Sequence, residues 1–136
     1  MAIPFPSDEW IKAAMVEINA SPAYQKAAKS WEGDLIFVIT ALPDERKEVS
    51  LYMDLWHGEC RAAYEVTDPS QKTSEFTITA PLSVWRKVLE KKLDPIRGIV
   101  SRQLKMEGSL AKVMKAPKAA IELVNSCAQV DTSWPN

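Results

Sequence analysis

Glycine, histidine and cysteine are all scarce in this chain, with four glycines, one histidine and two cysteines among 136 residues. Each scarcity excludes a kind of chemistry. Gly33, Gly58, Gly98 and Gly108 stand too far apart for a glycine loop that cradles phosphate. Cys60 and Cys127 form no Cys-x-x-Cys pair, no spacing that suggests a metal site and no disulfide framework. A reducing compartment suits them, and the cytoplasm is the expected location. No stretch approaches 18 apolar residues, so no spanning helix is predicted. The opening MAIPFPSDEW has no basic segment followed by a long apolar run, so no secretory signal is read there. The closing Ser-Trp-Pro-Asn is neither a retention nor a peroxisomal address. An excess of one charge is missing too: 17 basic residues face 18 acidic ones, for a net charge of −1. That balance advertises neither a nucleic-acid nor an anionic-membrane partner, although a local patch can sit beneath a balanced total.

What is present is an ordinary globular composition, 46% hydrophobic and 26% charged. One domain over residues 1–136 is expected, large enough to hold a core without staples. Ser7 reads as a helix N-cap followed by the acidic first turn Asp8-Glu9, with Trp10, Ile11, Ala14, Met15 and Ile18 at helical spacing. Ser21-Pro22 starts a short helix carrying Tyr24, Ala27 and Ala28. The period then changes. Leu35 to Ala41 is an apolar run that predicts a central strand. Val49, Leu51, Met53 and Leu55 alternate with Ser50, Tyr52, Asp54 and Trp56, as in a strand with one buried face. His57-Gly58 is a tight link to a third strand, in which alternation predicts Cys60, Ala62, Tyr64 and Val66 on one side. Asp68 to Gln71 reads as a turn, and Phe76 and Ile78 alternate with threonines in a fourth strand. Short links favour antiparallel neighbours.

Helical signals return at Pro81, with Leu82, Trp85, Val88 and Leu89 on one face, and at Asp94-Pro95, with Ile96, Ile99 and Val100. Leu104 and Met106 predict a short late strand. Gly108-Ser109 then enters a helix with Leu110, Val113 and Met114, and Pro117 restarts it with Ala120, Ile121, Val124 and Cys127. The order predicts an α+β fold whose sheet buries one face under helices.

Catalytic signals are weak. His57 lies in a turn with no nucleophile beside it, and Cys60 is predicted on an apolar strand face. Asp8-Glu9, Asp44-Glu45, Glu59 and Glu65 read as solvated charges. No catalytic residue, metal ligand or cofactor is assigned. Arg86, Lys87, Lys91 and Lys92 form the strongest basic feature, flanking an apolar helix face or meeting lipid headgroups. Met15, Met53, Met106 and Met114 supply adaptable apolar surface, suited to core packing or to a varied ligand.

Four segments resemble the sterol carrier protein 2 family. They are Trp31 to Ile39 (WEGDLIFVI), Phe76 to Trp85 (FTITAPLSVW), Leu93-Asp94-Pro95, and Leu104 to Leu110 (LKMEGSL). The likeness runs from about Trp10 to Val124. It implies a five-stranded, largely antiparallel sheet covered by helices around an apolar cavity. It also implies binding of fatty acids, acyl-CoAs, sterols or other lipids, without a reaction. The chain departs from the family pattern with Lys91-Lys92 where glycine often precedes Asp-Pro, Arg102-Gln103 where Gly-Lys often precedes the last strand, and Ser109 where aspartate often follows the turn glycine.

On this reading the residues expected to line the cavity are Ile78, Trp85, Leu89, Ile99, Leu104, Met106, Leu110, Met114, Ile121 and Val124, with Tyr64, Phe76 and Phe37 as second choices. Leu110 to Val124 is the expected movable cover. The expected partner is a lipid or other apolar small molecule, with transient membrane-surface contact and no nucleic acid. Two competing readings fit the same residues: a structural or regulatory module with a closed cavity that binds a protein, and a small enzyme acting on an apolar substrate.

Overall fold

A computed structural model describes residues 1–135. Helix α1 (Asp8–Asn19) starts where Ser7 accepts a hydrogen bond from the Trp10 amide, and it buries Trp10, Ile11, Ala14 and Ile18. Helix α2 (Pro22–Ala27) is capped by Ser21 in the same way and buries Tyr24. Four strands follow with a 3-10 turn before the last: β2 (Glu32–Thr40), β3 (Glu48–Trp56), β4 (Glu59–Val66) and β5 (Phe76–Pro81). Helices α3 (Leu82–Leu89) and α4 (Pro95–Val100) precede strand β6 (Lys105–Glu107). Helices α5 (Leu110–Met114) and α6 (Pro117–Cys127) complete the cover. Two short strands that periodicity did not reveal, β1 (Ile3–Pro4) and β7 (Thr132–Ser133), pair in parallel and tie the two ends together. Trp10 Nε1 reinforces this tie by donating to Thr132 Oγ1 at 2.9 Å.

The main sheet has the order β4-β3-β2-β5-β6. The apolar run is indeed the central strand. Leu35 and Ile39 join the helix-covered core, while Ile36 and Val38 join a smaller cluster on the opposite face. Burial on both faces explains why this strand reads as continuous rather than alternating.

Two sequence expectations need correction. Strand β5 does not pair with β4; it runs parallel to β2, with Leu35 opposite Phe76 and Thr40 opposite Pro81. The segment read as a turn is part of a crossover, residues 67–75, that carries the chain to the other side of β2. The 3-10 turn Pro69–Gln71 lies in it, capped by Asp68. The other three strand pairs are antiparallel.

The second correction concerns β4. Strict alternation fails because the register shifts at Asp54/Leu55: Leu55 faces Cys60, but Asp54 faces Ala62. Arg61 is thus the extra residue of a β-bulge, and everything after it changes face. Cys60 and Ala63 share the helix-covered core, whereas Ala62, Tyr64 and Val66 pack with Ile36, Val38 and Tyr52 behind the sheet. The turn before the bulge is sharp. His57 and Gly58 both have positive φ, 51° and 84°, as a two-residue hairpin of the mirror-image type requires. A Cβ on Gly58 would also lie 2.8 Å from the Gln25 carbonyl oxygen.

Candidate functional site

The helix-covered face of the sheet is not packed solid. A cavity of about 100 Å³ lies between it and the helices, and a second of about 60 Å³ adjoins it towards α1. The floor of the first is Leu35 and Phe37 from β2, Leu55 from β3 and Ile78 from β5. These positions share a face because side chains alternate across the pleat. The roof comes from four helices: Trp85 and Val88 of α3, Ile99 of α4, Val113 of α5, and Ala119, Ala120, Leu123 and Val124 of α6. The small alanines on α6 hold its axis near the cavity without filling it. The second cavity is walled by Phe5, Trp10, Ile11, Ile39, Leu51, Met53, Leu89 and Cys127. Phe37, Trp85, Val88, Leu123 and Val124 border both, so side chains alone divide them. Phe37 and Trp85 meet edge to face there, 5.6 Å between ring centroids.

Polar groups in the wall are neutralised. Trp85 Nε1 donates to the Val38 carbonyl at 3.1 Å, and Trp31 Nε1 donates to the Gly33 carbonyl at 3.0 Å. Tyr24 brings a phenol to the wall of the first cavity; burial above all, then the nearby thiols of Cys60 and Cys127, raises its pKa, so it stays a neutral donor. Burial pushes both cysteine thiols up to about 12, which keeps them from acting as thiolates. His57 sits outside this region, half exposed on the hairpin turn, with Nε2 2.6 Å from Glu32 Oε2. Among the described residues no group of histidine, cysteine or acidic side chains could hold a metal ion.

Lys112 anchors the cover to the end of the sheet where β2 begins. Ser109 caps α5 by accepting from the Lys112 amide, and the Lys112 ammonium donates to the Glu32 carbonyl and, at 2.7 Å, to Glu75 Oε2. It also lies 5.1 Å from the Trp31 ring centroid. Gly108 makes the preceding turn at φ 124°, where a Cβ would lie 2.6 Å from the Phe76 ring. A helix of five residues has little stability of its own, so α5 depends on these contacts.

Six of the ten residues expected to line the cavity border one of the two: Ile78, Trp85, Leu89, Ile99, Leu104 and Val124. Met106 pairs with Ile78 across the ladder and packs against the core without bordering a cavity. Leu110, Met114 and Ile121 are 48%, 44% and 38% exposed, on the outside of the cover. Of the stripe expected on these helices, Val113, Ala120 and Val124 border the first cavity and Cys127 the second, and Ala119 and Leu123 join them. Phe37 borders both cavities, Phe76 is buried against Trp31, and Tyr64 lies behind the sheet because of the bulge. Sequence reasoning passed over Tyr24, Val88 and the α6 alanines. The signal was a small-residue stripe at helical spacing, which alone reads as close packing.

Fold and site together define an α+β shell: a mixed five-stranded sheet, a helical cover and an apolar interior between them. A profile of the SCP-2 sterol transfer family matches residues 12–120. The chain belongs to that family. It is similar to a crystal structure of sterol carrier protein 2, with 33% identity over 91% of this chain and 97% of that one, at a TM-score of 0.80. It is likewise similar to a conserved hypothetical protein from Thermus thermophilus, with 34% identity over 92% and 88% of the two chains, at a TM-score of 0.81. Palmitated SCP2L2 from Aedes aegypti shares the fold alone, at 12% identity and a TM-score of 0.57, covering 93% of this chain and 99% of that one. No curated protein sequence matches the chain.

Proposed function

We propose that this protein binds one lipid with a long apolar part, a fatty acid, an acyl thioester or a sterol-like ring, and carries it without catalysing a reaction. The observation that carries this reading is the pair of adjoining apolar cavities, separated only by side chains beneath a cover of short helices. Burying ten methylenes contributes about 8 kcal/mol, so shape and dryness suffice for affinity. The neutral Tyr24 hydroxyl is the group offered to an oxygen on the ligand. The free, buried thiols suit a reducing compartment.

The resting cavities are smaller than the roughly 300–1,000 Å³ usual for ligand sites. Uptake therefore requires the dividing side chains to change rotamer and α5 to lift. The same small volume favours a second reading, a closed module that binds a protein partner. Native mass spectrometry of the purified protein, offered palmitate, palmitoyl-CoA and cholesterol in turn, separates the two. A one-to-one complex with any of them, weakened by Tyr24→Phe when the ligand has an oxygen-bearing end, supports the carrier. Unchanged apo mass with all three would sink the carrier reading and leave the closed module.

A further inference from the structure

Leu89 and Cys127 each stand between two spaces. Both border the second cavity, and both border an open groove of about 310 Å³ that also takes in the exposed side chains of Glu90, Gln129 and Asp131. Two further contacts cross the same layer. Phe5 of the cavity wall packs 5.1 Å from Trp134 of the groove, and Trp10 of the cavity wall donates to Thr132 of the groove at 2.9 Å. One layer of side chains therefore separates the cavity from the groove.

Helix α6 marks out a path through all three spaces. Ala116, Ala119 and Ala120 border the first cavity, Leu123 and Val124 border both cavities, and Cys127 borders the second cavity and the groove. At the helical rise, Ala116 to Cys127 spans about 16 Å. That is close to one leaflet, half of a roughly 30 Å hydrocarbon core, so a single acyl-length chain reaches from the first cavity to the groove.

The groove is polar where the cavities are not. Its size falls within the roughly 300–1,000 Å³ usual for ligand sites. Helices α3 and α6 both end on it, and the last carbonyls of a helix lack partners within that helix. Glu90 and Asp131 add two carboxylates. The backbone N–H groups of Glu90, Ala128, Gln129 and Val130 are already bonded to helix carbonyls. Among the described residues no cation lines the groove. Glu90 engages Arg86 and Lys92 at 3.1 and 3.3 Å, and Asp131 faces the Met1 ammonium at 3.8 Å. A guest therefore meets acceptors whose charge is already balanced.

We propose that this groove seats the polar end of the bound lipid and takes a neutral group that donates a hydrogen bond, a hydroxyl, in preference to a carboxylate. This seat presupposes the carrier reading and assigns the outer end of the ligand. Rotation of the Leu89 side chain joins groove and cavity. A hydroxyl donates to the waiting acceptors, whereas a carboxylate only accepts and would lose its water without replacement. A fatty acid must instead turn its carboxyl inward to the Tyr24 phenol and shed its charge, which weakens its binding.

The test is titration of the full chain with 1-hexadecanol, palmitate and hexadecane, read by native mass spectrometry and amide NMR. 1-Hexadecanol should bind about tenfold more tightly than palmitate. It should move the Ala128, Gln129 and Val130 amide signals and the Trp134 indole signal, and hexadecane, the same chain without a polar end, should leave them in place. Glu90→Gln/Asp131→Asn adds amide donors and releases Arg86 and Lys92, so palmitate should gain about tenfold. Equal wild-type affinity for alcohol and acid, no gain of palmitate in the variant, or groove signals moved as far by hexadecane would overturn the proposal. Binding of none of the three sinks the carrier reading and the seat with it, while bound 1-hexadecanol that leaves the groove signals unmoved sinks the seat alone.

Discussion

The two faces of the central sheet are built from the same strands and packed differently. Behind the sheet, Ile36, Val38, Tyr52 and Val66 form a small dense cluster, with Tyr64 stacked 4.9 Å from Tyr52. Tyr52 donates to Asp34 Oδ2 at 2.9 Å, Asp34 Oδ1 accepts from the Glu75 amide at 2.7 Å, and Lys72 from the crossover sits 4.1 Å from the Tyr52 ring centroid. Polar contacts thus tie Tyr52 and Asp34 to the crossover residues Lys72 and Glu75 on that face. In front, the larger core relies on apolar contact and leaves two cavities. Hydrogen bonds have fixed geometry and tolerate little displacement. Apolar contact is non-directional, so the front face can rearrange around a guest at modest cost. One face gives the scaffold and the other gives adaptability.

The largest break in this contrast is expected from Trp85→Ala. It removes one of the five residues that border both cavities and should cost about 3–5 kcal/mol in urea unfolding. If the variant folds, the joined space should take lipid more readily in native mass spectrometry. Unchanged stability would mean that Trp85 does not support the core. Ala120→Phe is the opposite change. It fills the first cavity, should cost about 1–3 kcal/mol, and should abolish lipid capture. Capture at the wild-type level would place the ligand elsewhere.

Alkali should reach the front face through its thiols. Cys60 and Cys127 have folded pKa values pushed up to about 12 by burial, against an ordinary value of 9.0. The folded state holds these protons more tightly, so their contribution is complete below pH 9 and fades as pH rises through 12. The loss should be about 1 kcal/mol per thiol at pH 10. Thermal melting from pH 8 to 10.5 should show this decline, and Cys60→Ala/Cys127→Ala should flatten it. A wild-type profile as flat as the variant's would remove the thiols from the account. The smallest effect is expected behind the sheet. Tyr52→Phe removes one hydrogen bond to Asp34, should cost about 1 kcal/mol, and should leave lipid capture untouched. A change in capture would show that the two faces are coupled.

Much of the fold was legible because its signals are local. Ser7, Ser21, Asp94 and Ser109 each cap the helix that their sequence context predicts. The alternation in β3 and β5 shows which side chains face the helices, because each strand keeps a strict period of two. The cavity residues were half legible. Ile78, Trp85 and Leu104 follow from such patterns. Leu110, Met114 and Ile121 look equally inward by composition, yet a rotation of about 100° puts them outside.

The sequence by itself determined the α+β class, the helix starts, the central strand and the family. Each of these depends on residues close together in the chain or on ordered segments of it. Only the tertiary structure decided that β5 crosses to run parallel with β2 and that the Arg61 bulge turns Tyr64 to the back. The physical reason is that pairing partner, register and helix rotation are set by contacts between distant segments. Strand and helix periods repeat along the chain and do not record which neighbour they will meet.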